Sequence, residues 1–345
     1  MSAFDETRVV SNDPPKAELS LFKEGAEILK GLLSRSKSAA WKSHYSRFKN
    51  DPYYMLRYYA INLALLTIGI VLLDFFTGSL TAMNHRMLWL VGLVLFVLPN
   101  YSLIFLSGIY YFVLYLTTGG VVLTFSNVAL IPAGVLTGTI SAAIMHNAAH
   151  DNFQSALLNR ILGEVCGLFQ LSGYVGWTVS HHIHHAAPDN PQKDAHAPGD
   201  MRFGEYVNAM GMLMKRSMTE TYFKAFGYGR HIKVTWASIS ATLPLVRYAR
   251  VLFTLALVGP TGFVFFYVPF KIANTMIYGD FNYRTHRPNG RGGYEVLNLN
   301  HNIWFKLLNA ISIGSYYHKN HHRCPKAFNP RHVIDDGRPF VTYHR

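Results

Sequence analysis

From Met87 to Ala149 the chain runs for 63 residues without one Asp, Glu, Lys or Arg. A water-soluble fold has no use for so long an uncharged stretch, whereas a bilayer demands one. About twenty apolar residues cross the hydrocarbon layer, so this stretch has room for about three crossings. Breaks are expected at Pro99-Asn100 and between Thr117 and Gly120. A further span, Arg57 to Phe76, precedes it across a short polar loop, Thr77 to Arg86. Another apolar region lies between Trp236 and Gly279.

Charge sets the orientation. The chain up to and including Arg57 carries ten Lys and Arg, and the loop after the first span carries one. Basic residues concentrate on the cytosolic side of a membrane, which places the N-terminus there. Only 15% of all residues are charged, against roughly 25% in soluble domains. The net charge of +13 comes with no nucleic-acid-binding motif, and basic flanks of apolar spans face anionic lipid. Nucleic acid is therefore not an expected partner. Residues 1–50 read as a cytosolic N-terminal segment, disordered over 1–15, with Leu19 to Lys42 patterned as an amphipathic helix. Residues 51–345 read as one membrane domain with a cytosolic cap.

Histidines dominate the polar segments between the spans. His146-Asn147-Ala148-Ala149-His150 closes the uncharged stretch, His181-His182-Ile183-His184-His185 follows, and His318-Lys319-Asn320-His321-His322 lies far downstream. Packing does not explain eight patterned histidines (His146, His150, His181, His184, His185, His318, His321 and His322), because each buried imidazole needs a polar partner. Neutral imidazole is also the commonest metal ligand. A spacing of four puts His146 and His150 on one helix face. In each H-x-x-H-H cluster, two rings can serve one site and the third a neighbouring one. Eight ligands exceed the roughly four to six that one transition metal takes, so two metals are implied. The three clusters must then share one side of the membrane. A single crossing between the second and third would separate them, so the apolar region after Trp236 is expected to be a hairpin turning near Gly259-Pro260. The expected architecture is an all-α membrane bundle of six crossings. A cytosolic, histidine-rich cap holds a di-metal site, with both termini cytosolic. Arg247 and Arg250 fall inside the first arm of the hairpin, either snorkelling to an interface or lining a cavity.

Imidazole with little carboxylate suits iron used with O2, although ligand type alone also admits zinc or copper. The zinc-hydrolase pattern H-E-x-x-H and the soluble di-iron pattern E-x-x-H are both absent from the sequence. The two cysteines, Cys166 and Cys324, allow neither a disulfide framework nor a cysteine-rich metal site.

The three boxes, in this order and with these spans between them, resemble the integral-membrane fatty acid desaturase superfamily over about residues 57 to 327. Asn282-Tyr283-Arg284-Thr285-His286 is similar to the N-x-x-x-H element of acyl-CoA desaturases and alkane monooxygenases. That resemblance implies His286 as a ninth ligand and Asn282 as a residue holding metal-bound water. It places Asn302, Trp304 and Tyr317 as polar and aromatic support. The first box has the spacing of acyl-lipid desaturases and alkane monooxygenases. The Asn-Tyr-x-x-His element leans toward alkane monooxygenases, while the middle box is that of desaturases. The implied activity is O2-dependent oxidation of a lipid or fatty acyl substrate at two iron ions. Desaturation stands first; hydroxylation and decarboxylation to a terminal alkene are alternatives, and a zinc-dependent membrane hydrolase is the alternative of another class. His182 and His301 fall off the pattern and read as supporting residues, and Asp151 and Asp194 are candidates to orient ligand rings. No flavin, nicotinamide, haem or Cys-x-x-Cys element is present, so electrons must come from an external ferredoxin, rubredoxin or cytochrome with its reductase. Lys319, Arg323, Lys326 and Arg331 offer a basic face for such a donor.

Overall fold

The computed structural model describes residues 43–98, 100–118 and 124–344. The disordered segment and amphipathic helix expected before residue 43, and the core of the expected break near Gly120, lie outside the described residues. The described residues open with α1 (His44–Asn50) and α2 (Tyr54–Thr77), followed by α3 (Arg86–Val97), α4 (Tyr101–Thr118) and α5 (Phe125–Ala149). Then come α6 (Ala156–Leu168), α7 (Gly173–Ala186), α8 (Phe203–Phe226) and α9 (Arg230–Gly262). A π-helical turn (Phe263–Tyr267) leads into α10 (Val268–Thr285). The C-terminal part adds β1 (His286–Pro288), β2 (Gly293–Val296), α11 (Ile303–Ile311), α12 (His318–Arg323) and β3 (Phe340–His344).

Among the described residues, four helical stretches are long and apolar enough to cross a membrane: α2, α4, α5 and the continuous run Arg230–Thr285. Their outer faces are what lipid requires. Ile61, Leu65, Ile68, Leu72, Phe75 and Phe76 of α2 all expose their side chains, at spacings that make a single apolar stripe. Gly78, left-handed at φ 64°, ends α2, and Asp74 accepts the backbone N–H groups of Leu80 and Thr81 in the turn beyond.

The 230–285 run is the expected hairpin. Gly259 leaves helical geometry at φ 66° and ψ 176°, a conformation open chiefly to glycine. Pro260 beside it supplies no N–H to continue the first arm. The bend lies at the far end, where Tyr115 and Thr261 share a hydrogen bond of 3.0 Å. Trp236 on the first arm and Asn282 on the second return to one cavity at the histidine end. One of the six expected crossings is short. α3 has 12 residues, about 18 Å at 1.5 Å per residue, which is shorter than the hydrocarbon layer. It packs against α4 and the π-helical turn through Trp89, Phe96, Tyr111 and Phe263. The chain still returns to the histidine end, where Leu98 and Tyr101 line the cavity beside His181 and Ser102 Oγ donates to Asn208 of α8 at 2.9 Å.

Two backbones meet closely at the centre. A Cβ on Gly134 would lie 2.3 Å from the Phe266 carbonyl oxygen, and one on Gly138 would lie 2.3 Å from that of Phe270. Small residues four apart let membrane helices approach in this way. Asn274 donates to the Gly138 carbonyl at 3.1 Å, and Tyr278 to that of Ala142 at 2.9 Å. These bonds fix α5 and α10 in register, one helix leading to His146 and the other to His286.

The cap is built from α1, α6, α7, α8, α11 and α12. Its antiparallel sheet, ordered β1-β2-β3, is an addition to the all-helical expectation. β2 lies in the middle, with His286 opposite Val296 and Val296 opposite Phe340.

Candidate metal centre

Each histidine sits where an element ends or turns inward. His146 occupies the last turn of α5, and His150 caps that helix. His181, His184 and His185 lie on the last turns of α7, His286 opens β1, and α12 carries His318, His321 and His322.

The structure brings all nine sequence-predicted histidines together, in two groups. His146, His150, His181, His185 and His321 form the first; His184, His286, His318 and His322 form the second. Within each group one nitrogen per ring lies within 4.8 Å of all the others. In the first, Nε2 atoms stand 2.8 Å apart for His150 and His181 and 3.0 Å apart for His146 and His321. In the second, His322 Nε2 is 3.2 Å from both His184 and His318. Ligand atoms at right angles about 2.1 Å from one ion would be about 3.0 Å apart, so each group has the dimensions of a coordination shell. The H-x-x-H-H boxes divide two and one. The pair one helical turn apart stays together (His181 with His185, His318 with His322), while the middle ring, His184 or His321, crosses to the other group.

The donor chemistry fits a cation in the second group. His184 Nδ1 donates to both Asp194 oxygens at 2.8 and 2.9 Å, and His286 Nδ1 to Asp189 at 2.9 and 3.0 Å. A proton held on Nδ1 leaves Nε2 as a bare lone pair. His286 Nε2 is buried and has no hydrogen-bond partner, a costly state unless an ion takes it up. Asp194 also accepts the backbone N–H groups of Asp189 and His196, each at 2.6 Å. Thr342 of β3 donates to Asp189 at 2.5 Å. Among the described residues, no carboxylate hydrogen-bonds to a ring of the first group.

Burial, with neighbouring imidazoles adding to it, holds the pKa of His150, His181, His185, His318, His321 and His322 well below the ordinary imidazole value. They are neutral at physiological pH, as metal ligation requires. Burial also works against charge on His184, but Asp194 outweighs it and raises that pKa. Burial would raise the Asp189 pKa, yet His286 pulls it down and keeps the carboxylate ionised.

Of the two acids expected to orient ligand rings, Asp194 accepts from a clustered ring, that of His184. Asp151 does not: it is exposed and lies 3.6 Å from the Lys326 ammonium. Asp189 escaped the sequence reading, because a carboxylate in an irregular loop has no spacing to reveal it. Its left-handed φ of 60°, uncommon for a non-glycine residue, turns it toward His286. His196 was missed for the same reason. It is buried near His184, with ring centroids 5.4 Å apart. Neither of its ring nitrogens has a partner, and burial, then His184, push its pKa down to about 3.

His182 stays outside both groups, its Nδ1 2.9 Å from the Thr178 carbonyl. His301 is exposed, with its ring 5.0 Å from that of Phe305. Asn282 is buried, donates to the Tyr278 carbonyl at 2.9 Å, and lines a cavity beside His181 and His196. Asn302 caps α11 by accepting from Phe305 N–H at 2.9 Å. Trp304 is exposed, and Tyr317 bonds to Asn300.

The supporting carboxylates give a direct expectation. Asp189→Asn and Asp194→Asn should each lower metal affinity of the second group by about 10- to 100-fold. Metal retained per chain against a graded chelator would show one of two ions leaving early. Retention curves identical to the parent protein would remove these residues from any supporting role.

A family model for fatty acid desaturases matches residues 123–333. No curated protein and no solved structure matches the chain.

Proposed function

The chain belongs to the fatty acid desaturase family, and we propose that it is a membrane di-iron oxidase that desaturates a fatty acyl chain with O2 and electrons from an external donor. The observation that carries this reading is the division of nine histidines into groups of five and four, drawn from every box and from the Asn282–His286 element. When bound, an iron pair at this centre supplies the oxidising power to remove hydrogen from an unactivated C–H bond. The protein's own residues do the rest. Asp189 and Asp194 keep the protons on Nδ1 of His286 and His184 and so aim both Nε2 atoms inward. Asn282 and His196 border the same cavity as His181, where they can hold water or a substrate hydrogen near the ligands. The apolar wall from Trp177, Met210 and Ile239 excludes bulk water and aligns a hydrocarbon chain. Holding two adjacent carbons still favours loss of a second hydrogen over return of oxygen.

In this reading the histidine face and both ends of the chain are cytosolic, and the donor is a ferredoxin, rubredoxin or cytochrome with its reductase. Lys319 and Arg323 are engaged by Asp335 and Asp336, and Lys326 by Asp151 and the His150 carbonyl, so Arg331 carries more of the basic docking face.

Metal analysis and product analysis test the proposal together. Iron near two per chain is expected. A deuterated acyl chain supplied with labelled O2 and reductant should lose two deuteriums from adjacent carbons and gain no label. Labelled alcohol as the main product would make the protein a hydroxylase. An alkene one carbon shorter would make it a decarboxylase, and activity with zinc alone would return the hydrolase alternative.

A further inference from the structure

The cavity below the histidines has a volume of about 320 Å³ and two polar ends. His181, His196 and Asn282 line one; Lys271, Arg247 and Gln170 line the other. Lys271, Thr275, Tyr278 and Asn282 all line the cavity, and their spacings put them on a single face of α10. Lys271 and Asn282 are eleven positions apart in the sequence, so the two ends are separated by about 16 Å at 1.5 Å per residue.

The deep end is electrostatically incomplete. Lys271 is 2% exposed, and its ammonium, with three protons to donate, has one protein acceptor, Gln170 Oε1 at 3.4 Å. Arg247 Nε is buried without a partner. Arg250 nearby is satisfied, donating to the Leu171 carbonyl at 3.1 Å and Asn62 Oδ1 at 3.0 Å. Among the described residues, no carboxylate forms an ion pair with any of the three. Unpaired cations at membrane depth are expensive and mark a functional site; here the missing element is an anion.

Resting on the proposed function, we propose that the cavity binds an unesterified long-chain carboxylate head first, with its carboxylate on Lys271 and Arg247 and its alkyl chain running toward the histidines. A carboxylate is small enough to be buried at that end, whereas a CoA, carrier-protein or phosphoglyceride head is not. The geometry also sets where oxidation falls. With C–C bonds of about 1.5 Å, a zigzag chain advances about 1.3 Å per methylene. A span of about 16 Å then puts the reacting carbons about a dozen from the carboxyl group. The substrate is measured from its head, and the reaction lies far along the tail.

Equilibrium binding to the metal-loaded protein in nanodiscs, without reductant, tests this with no turnover. The probes are radiolabelled hexadecanoic acid, its methyl ester, hexadecan-1-ol and hexadecanoyl-CoA. The acid should bind at least about 10-fold more tightly than the other three. Lys271→Met and Arg247→Met should each weaken the acid about 10-fold and leave the ester unchanged, while Lys271→Arg keeps most of the affinity. Ester or thioester binding as tight as the acid, or Met variants that bind the acid like the parent, would overturn the proposal. The head-group series on the parent protein and Lys271→Arg decides the matter even if a Met variant does not fold. The two readings fail separately. Alkene formation from acyl-CoA without a preference for the acid would sink this inference alone. Tight, Lys271-dependent acid binding without O2-dependent oxidation would sink the desaturase reading alone.

Discussion

His321→Ala should leave a folded protein that holds about one metal per chain and turns nothing over. His321 comes from the third box yet stands 3.0 Å from both His146 and His185, so its loss opens the first group and leaves the second complete. His184→Ala should lose the other metal and cost stability as well. Its Nδ1 is the partner of Asp194, and removing one member of a buried pair leaves a charge uncompensated, at about 3–5 kcal/mol. Metal counts, thermal unfolding and turnover measured on one preparation separate these effects. Two metals retained with normal turnover in either variant would refute the two-group arrangement.

Gly138→Val should fail at an earlier stage and yield no stable folded protein. Its Cβ would lie 2.3 Å from the Phe270 carbonyl oxygen and would meet backbone, not a side chain that can swing away. Overpacking a well-fitted interior costs about 1–3 kcal/mol, occasionally more. Here α5 and α10 must separate, taking with them the Asn274 and Tyr278 bonds. Separation would also pull His146 from the histidines it meets. Gly204→Ala is the control: it lies in α8 with nothing within 4 Å of its added Cβ. It should unfold at or above the parent temperature. A Gly138→Val protein with parental melting behaviour and metal content would show that the helices have room to spare.

What the sequence discloses follows from how each feature is specified. The clustered histidines are legible because the boxes repeat one residue type at helical spacing. The bend at Gly259-Pro260 is legible because its two residues carry their own backbone rules. The short α3 is legible in part: the break expected at Pro99-Asn100 leaves little more than Arg86–Val97 before it. Composition does not state where the helix enters the bilayer. Asp189 and His196 are hidden because they act from a loop, where position depends on the tertiary path. Asp189 owes its role to an unusual backbone angle and to contacts with His286 and Thr342. Gly134 and Gly138 are visible as small residues four apart, but nothing in the sequence says which helix lies against them.

Thr342, far along the chain, bonds to the acid that holds His286, and β3 pairs with the strand beside β1. This has a bearing on biosynthesis. The membrane helices reach the bilayer while the ribosome is still at work, but the second histidine group gains its last support only when β3 has emerged. The second group is therefore complete only once β3 has been made and paired, later than the helices that carry its histidines. A clipped chain lacking β3 would reach the membrane with its helices in place and a poorly held second site.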